Sequence, residues 1–235
     1  MPRANEVFDV INRLRELVWW DLVVLTQDFH PADHASFASN NDGANIFETR
    51  TLPEVGEQVM WPDHCVQGTP GSEFHPDLVR HESDVVVQKG KVREVDSYSG
   101  FGDASEGHTK EKTELEQLLR ERGVTDVFVA GLAADFCVSF TAKDAAKAGF
   151  RSYLVRDGTR GISPEGTESE WEKAGELGVQ LLDSAEVPAA AVDAVVEGDP
   201  AESTSTGHGS VTSASASGRA GDIAPGESES GGSVV

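Results

Sequence analysis

The chain has 235 residues, enough for one α/β domain with a buried core. Its 19 basic and 41 acidic residues give a formal net charge of −22, which argues against nucleic acid or an anionic membrane as a partner. The two cysteines do not support a disulfide framework, and no apolar run approaches the ~20 residues that span a bilayer. These features predict a cytoplasmic protein, and the acidic surface favours a salt-rich cytoplasm that screens its charge.

Helical and strand-like segments alternate along residues 1–187. Apolar residues at helical spacing from Val7 to Val18 predict an amphipathic opening helix, with Asn5 as its cap. Short apolar runs then predict buried strands at 22–25, 85–87, 127–130, 153–155 and 179–182, with further helices at 114–120, 135–147 and 168–177. This alternation predicts a three-layer α/β sandwich with a mostly parallel sheet.

Two segments depart from this pattern. Residues 31–78 show no strong period, and a loop this long inside a compact domain is usually functional. Residues 188–235 are rich in Ala, Ser, Gly and acid and nearly lack large apolar residues. We therefore expect a folded domain over 1–187 and a disordered acidic tail over 188–235.

Cys137 and Lys89 are candidate catalytic residues. Cys137 follows a predicted strand and lies at the start of a predicted helix, where backbone amides and the helix dipole favour a thiolate. That setting favours a nucleophile over a small apolar core residue, and Asp135 is expected to cap the helix. Lys89 ends another strand, so its ammonium is expected in the same crevice, where it would lower the pKa of the cysteine. The alternative is a surface lysine.

Asp28, His30 and His64 are candidate metal ligands. The first two stand two residues apart at the end of a predicted strand, and His64 lies in a distant Trp-Pro-Asp-His-Cys segment. One carboxylate and two imidazoles can hold Zn, Fe or Mn and leave positions open for water or substrate. His34 is a further candidate, as a fourth ligand or a contact to metal-bound water. The alternative is that these histidines cap and pack.

Three aromatic residues flank these polar groups. Trp61, Tyr98 and Phe136 could form a flat apolar slot for an aromatic ring. Each is equally compatible with the core of the domain.

Five separated motifs combine these residues in a fixed order. They are Gln27 to Ala38, Trp61 to Gln67, Lys89-Gly90, Asp96 to Ser99, and Gly131 to Val138. Together they resemble the motifs of nicotinamidases, also called pyrazinamidases, within the isochorismatase-like cysteine hydrolases. The resemblance covers about residues 4–186. It implies the isochorismatase-like fold and a metal-dependent hydrolysis of nicotinamide to nicotinate and ammonia.

The resemblance also implies a role for each matched residue. Cys137 would attack the amide carbon and form a thioester, with the amides of Ala133 and Cys137 holding the oxyanion. The peptide between Leu132 and Ala133 would be cis. Lys89 would be the basic member of a Cys-Lys-Asp triad. The metal, zinc by first preference, would be held by Asp28, His30 and His64 and would coordinate the pyridine nitrogen, while Trp61, Tyr98 and Phe136 would line the ring slot.

One feature of the family pattern has no counterpart in this sequence. Family members begin with a central strand whose aspartate completes the triad, whereas the first predicted element here is a helix. We therefore expect an isochorismatase-like sheet that lacks its usual first strand and has a groove in its middle. A truncated or mis-started sequence ranks first as the explanation, then a shorter protein of weak or no activity, then a partner chain that supplies a strand.

Two alternatives to the nicotinamidase interpretation follow from this gap. One is a catalytically silent metal-binding or interaction module. The other is a hydrolase of another small amide, such as a ureido or carbamoyl compound. The sequence leaves a homo-oligomer open.

Overall fold

The computed structural model describes residues 3–53, 55–103 and 111–191, together with the backbone of 232–234. Its helices are α1 (Glu6–Leu17), α2 (Leu115–Glu121), α3 (Ser139–Lys147) and α4 (Pro164–Glu176). Its strands are β1 (Val24–Asp28), β2 (Thr49–Leu52), β3 (Gly56–Val59), β4 (Val85–Lys89), β5 (Asp126–Leu132), β6 (Arg151–Arg160), β7 (Gln180–Leu182) and β8 (Gly232–Val234). Each predicted helix and strand overlaps one of these elements.

The main sheet has the strand order β4-β1-β8-β5-β6-β7, and its pairs β1–β4, β5–β6 and β6–β7 are parallel. Successive strand residues face opposite sides of a sheet, so neighbouring apolar residues enter different layers. Val24 packs in the core cluster under α2, α3 and α4, whereas Leu25 packs in the cluster under α1. The predicted three-layer sandwich with a mostly parallel sheet is confirmed.

The opening helix α1 has the predicted amphipathic character. Val7, Phe8, Ile11 and Leu14 recur at helical spacing and are buried against the sheet. Asn5 stands at the N-cap position as predicted, although its side chain makes no capping hydrogen bond.

The middle of the sheet differs from the groove predicted there. The short strand β8 lies between β1 and β5 and pairs antiparallel with both. Its pairing on the β1 side covers only Leu25 to Gln27. An apolar cavity is lined by Val23 just before β1, by β5 residues such as Phe128, and by α1 residues such as Ile11.

The C-terminal segment was predicted to be disordered from residue 188. Most of it, residues 192–231 and 235, lies outside the described residues. Gly232–Val234 form β8 and so differ from the prediction, because backbone pairing with open strand edges does not require a run of apolar side chains.

The long segment 31–78 contains regular structure that its composition did not predict. Strands β2 and β3 form a small antiparallel hairpin outside the main sheet. Two short 3₁₀ turns, Ala38–Asn40 and Pro70–Ser72, complete the segment. Among the described residues, no helix has both the length and the apolar composition needed to cross a bilayer.

Candidate active site and metal-binding group

Lys89 lies at the centre of the candidate site. Parallel pairing of β1 with β4 places Asp28 and Lys89 in register as neighbours at the carboxyl ends of their strands. The buried Lys89 ammonium contacts the Asp28 carboxylate, donates to the carbonyl of Ser97 at 2.8 Å and lies 3.4 Å from Cys137 Sγ. Ligand sites of parallel sheets form at this edge, as the sequence predicted for Lys89.

The Lys89–Asp28 pair is charged at neutral pH. Burial disfavours the ammonium, but the Asp28 carboxylate and the neighbouring Cys137 outweigh it and raise the pKa of Lys89. Burial likewise opposes the carboxylate, and Lys89 with the two nearby histidines still lowers the pKa of Asp28.

Cys137 lies on a π-helical turn, Ala134–Val138, between β5 and α3. The peptide between Leu132 and Ala133 that precedes this turn is cis, as the resemblance implied. Burial raises the pKa of the Cys137 thiol to about 11, although Lys89 acts in the opposite direction. We expected the lysine to give a lowered pKa; in the structure burial is the larger effect.

Asp28, His30 and His64 form a group whose candidate ligand atoms all lie within 4.8 Å of one another. His30 Nδ1 is 2.9 Å from the carbonyl of Gly90, and His64 Nδ1 is 2.8 Å from the carbonyl of Pro62. A carbonyl only accepts, so each Nδ1 carries the proton and each Nε2 keeps its lone pair for a ligand. Burial lowers the pKa of His30 to about 4, which keeps its ring neutral. This donor set fits a divalent metal ion.

Backbone pairing beyond β1 brings His64 to His30 across 34 positions of sequence. The amide of His30 donates to the carbonyl of Cys65 at 3.0 Å, and the amide of Gln67 donates to the carbonyl of His30 at 2.8 Å. These bonds form a parallel bridge between His30 and Val66. The ring centroids of His30 and His64 are consequently 4.9 Å apart.

His34 is buried beside this group, with its ring centroid 4.4 Å from that of His30. Both of its ring nitrogens have protein partners: Nδ1 is 2.8 Å from Ser36 Oγ, and Nε2 is 3.2 Å from the carbonyl of Val95. The geometric group of possible ligands among the described residues does not include it. We therefore leave His34 out of the ligand set that we propose.

The three candidate slot residues contact one another. The ring centroid of Phe136 is 4.8 Å from that of Trp61 and 5.3 Å from that of Tyr98. Trp61 Nε1 donates to Tyr98 Oη at 3.2 Å and to Asp96 Oδ2 at 3.1 Å. Burial raises the pKa of Tyr98, so its hydroxyl stays protonated.

Two acidic residues have contacts that the sequence reasoning did not predict. Asp96 lies in one of the five motifs, and its carboxylate accepts from Trp61 Nε1 and so orients the indole. Asp135 was expected to cap its own helix. Instead it accepts from the amides of Ile162 and Ser163 and ties the cysteine turn to the start of α4. Only the fold brings residues 27 positions apart into contact.

The fold and the site together define an α/β protein with a half-buried cysteine and a buried lysine beside a group of three candidate metal ligands. Residues 4–186 match the Isochorismatase domain family, and the chain belongs to that family. It is 43% identical to the nicotinamidase of Acinetobacter baylyi over 182 residues, which are 77% of this chain and 82% of that protein.

Two solved structures are informative neighbours. PnC1 from L. infantum, in complex with nicotinate, is 33% identical with a TM-score of 0.67, and the match covers 78% of this chain and 82% of that one. The pyrazinamidase of Pyrococcus horikoshii, in complex with zinc, is also 33% identical with a TM-score of 0.61, covering 78% of this chain and 88% of that one. The isochorismatase-like fold predicted from the sequence is thus confirmed.

Proposed function

We propose that this chain hydrolyses nicotinamide to nicotinate and ammonia by nucleophilic catalysis at Cys137. The contact between Lys89 and Cys137 at 3.4 Å, beside the three-residue ligand group, carries the proposal. The nicotinamidase relative and the neighbour with bound nicotinate support this substrate class. The aromatic group of Trp61, Tyr98 and Phe136 offers apolar faces to a pyridine ring.

The chemistry proceeds in two steps. Cys137 Sγ forms a bond to the amide carbon, the carbon–nitrogen bond breaks, and ammonia leaves with the thiol proton. Water then attacks the thioester, which releases the carboxylic acid and restores the thiol. The amides of Ala133 and Cys137 are the proposed donors to the oxyanion in both steps.

Lys89 and Asp28 control charge around the sulfur. The buried ammonium stabilises the thiolate that forms as Cys137 reacts, because opposite charges interact strongly where water is excluded. Among the described residues, Asp28 is the carboxylate in contact with Lys89. It keeps the lysine charged between cycles.

Asp28, His30 and His64 are the proposed ligands of a divalent cation, and the zinc complex of the Pyrococcus horikoshii neighbour favours Zn²⁺ over Fe or Mn. When bound, the ion would supply a Lewis acid for the pyridine nitrogen of the substrate. Asp28 contacts Lys89 through Oδ1 and keeps a second oxygen for the ion.

The test is ammonia release from nicotinamide by zinc-loaded protein. We expect release by the native sequence and none by Cys137→Ser. Cys65→Ser is the matched control, since Cys65 is a buried cysteine near the same group, where its carbonyl accepts from the amide of His30. Zinc binding without any ammonia release would instead support a metal-binding module, and release only from carbamoyl compounds would support a different amidase.

A further inference from the structure

Glu111 is a buried carboxylate outside the five motifs, and it joins the two halves of the site. Its side chain accepts three hydrogen bonds: from the amide of Gly90 at 2.7 Å, from the amide of Lys91 at 3.1 Å and from Ser97 Oγ at 2.7 Å. Burying a carboxylate is costly unless hydrogen-bond donors replace the water it loses. The three donors therefore fix the position of the Glu111 carboxylate, and the carboxylate in turn fixes theirs.

The backbone around Glu111 is itself fixed. Its carbonyl accepts from the amide of Asp103 at 2.8 Å. The Glu111 carbonyl passes so close to Gly102 that a Cβ built there would lie 2.0 Å from its oxygen. Only glycine therefore allows the two backbone segments to lie this close together. The carboxylate is therefore held from a segment that belongs to neither the metal group nor the cysteine turn.

One branch of the network runs from Glu111 to the metal group. Glu111 holds the amide of Gly90, and the carbonyl of Gly90 contacts His30 Nδ1 at 2.9 Å. That contact determines which nitrogen of His30 carries the proton and where Nε2 points. A shift of the Gly90 peptide would turn the proposed ligand away from Asp28 and His64.

The second branch runs from Glu111 to the nucleophile. Glu111 accepts from Ser97 Oγ, and the carbonyl of the same serine accepts from Lys89 Nζ at 2.8 Å. Lys89 in turn lies 3.4 Å from Cys137 Sγ. Ser97 is therefore hydrogen-bonded both to Glu111 and to the ammonium beside the sulfur, so a shift of Glu111 would move Lys89 relative to Cys137.

We propose that Glu111 is a positioning residue that sets the orientation of His30 for metal binding and of Lys89 for catalysis. The assignment of catalysis rests on the proposed function, whereas the assignment of metal binding does not. Glu111→Gln is the sharpest variant. Its single carbonyl oxygen can serve Gly90 and Ser97 only by turning the amide NH₂ against the Lys91 N–H, where two donors repel.

Zinc affinity and nicotinamide kinetics together test the proposal. Zinc affinity is measured by competition with a chelating indicator, and kcat and KM are measured at saturating zinc. We expect Glu111→Gln to lower zinc affinity by about 10- to 100-fold, the range seen when the hydrogen-bond partner of a metal ligand is changed. We expect it to lower kcat as well. Ser97→Ala removes only the second branch, so we expect a lower kcat with unchanged zinc affinity.

Asp157→Asn is the matched control. Asp157 also accepts from a backbone amide and a serine hydroxyl, both of Ser184, at 2.7 and 2.6 Å. We expect it to lower thermal stability without changing zinc affinity or kcat. The proposal would be overturned if Glu111→Gln had the same zinc affinity and kcat as the native protein. It would also be overturned if Glu111→Gln and Asp157→Asn lost zinc affinity equally. If the native protein binds zinc but releases no ammonia, the proposed function fails, and zinc affinity alone decides the role of Glu111.

Discussion

Lys89 Nζ lies 3.4 Å from Cys137 Sγ although the two residues are 48 positions apart in the chain. β4 ends at Lys89, and the turn that follows β5 carries Cys137, so the sheet brings both to one edge. The same ammonium contacts Asp28, which links the nucleophile to the proposed metal ligands.

Removing the Lys89 ammonium is expected to destabilise the metal-free protein. Lys89→Met leaves the Asp28 carboxylate buried without its partner, and breaking a buried ion pair in this way costs about 3 to 5 kcal/mol. Urea unfolding measures the loss. The double variant Lys89→Met with Asp28→Asn should recover much of it, because no unpaired charge remains. Equal stability of the single variant and the native protein would contradict the buried charged pair.

The reactivity of Cys137 is expected to rise steeply with pH in the metal-free protein. Only the thiolate is alkylated, and burial raises the pKa of this thiol to about 11. The proton is therefore retained throughout the neutral range, and the rate should still be increasing at pH 10. The measurement is the iodoacetamide rate in a Cys65→Ser background. A plateau below pH 8 would show that Lys89 outweighs burial.

Replacing Gly90 is expected to disturb the metal group through His30. A Cβ at Gly90 would lie 2.4 Å from His30 Cε1, so Gly90→Ala must displace the ring and should lower zinc affinity at least about 10-fold. Gly123→Ala is the control, because Gly123 has nearly the same φ, +66° against +64°, but open space around its Cβ position. Both variants should lose about 1 to 2 kcal/mol from left-handed strain. Equal zinc affinity in both would contradict the contact.

His34 and His64 are expected to respond differently to substitution. His34→Ala leaves the Val95 carbonyl and Ser36 without their buried partner, which should cost about 1 to 3 kcal/mol while the zinc content stays at one ion per chain. His64→Ala should abolish tight zinc binding with little effect on the metal-free fold. Zinc content by atomic absorption and urea unfolding separate the two effects. Loss of zinc in His34→Ala would restore His34 as a ligand.

Salt is expected to stabilise the fold. With a formal net charge of −22, repulsion among surface carboxylates opposes the compact state, and added ions screen it. We propose on this basis that the protein is adapted to a salt-rich environment. The free energy of unfolding should therefore increase from about 0.1 M to about 1 M KCl, where the screening length falls from about 10 to about 3 Å. An uncharged osmolyte is the control, and indifference to KCl would contradict the proposal.

Local pattern was sufficient to predict most of the fold. Val24 and Leu25 alternate between layers as neighbours on any strand do, and α1 buries residues that recur at helical spacing. The hairpin of β2 and β3 was missed because its short strands lie outside the main sheet and carry half-exposed polar residues. β8 was missed because pairing of its backbone depends on an opening between β1 and β5 that has no local signal.

The sequence by itself determined which chemical groups this protein can use: a thiol, an ammonium, one carboxylate and two imidazoles, each placed at the end of a strand, at the start of a helix or in a loop. Tertiary structure alone decided how they act. Burial raises the pKa of Cys137 where a nearby cation suggested the opposite. Within the described residues, His34 has partners at both ring nitrogens, Ser36 and the distant Val95, whereas His30 and His64 each have a hydrogen-bond partner at Nδ1 alone. Glu111 supports the site from outside every motif, because hydrogen bonds depend on distance in space and not on distance along the chain.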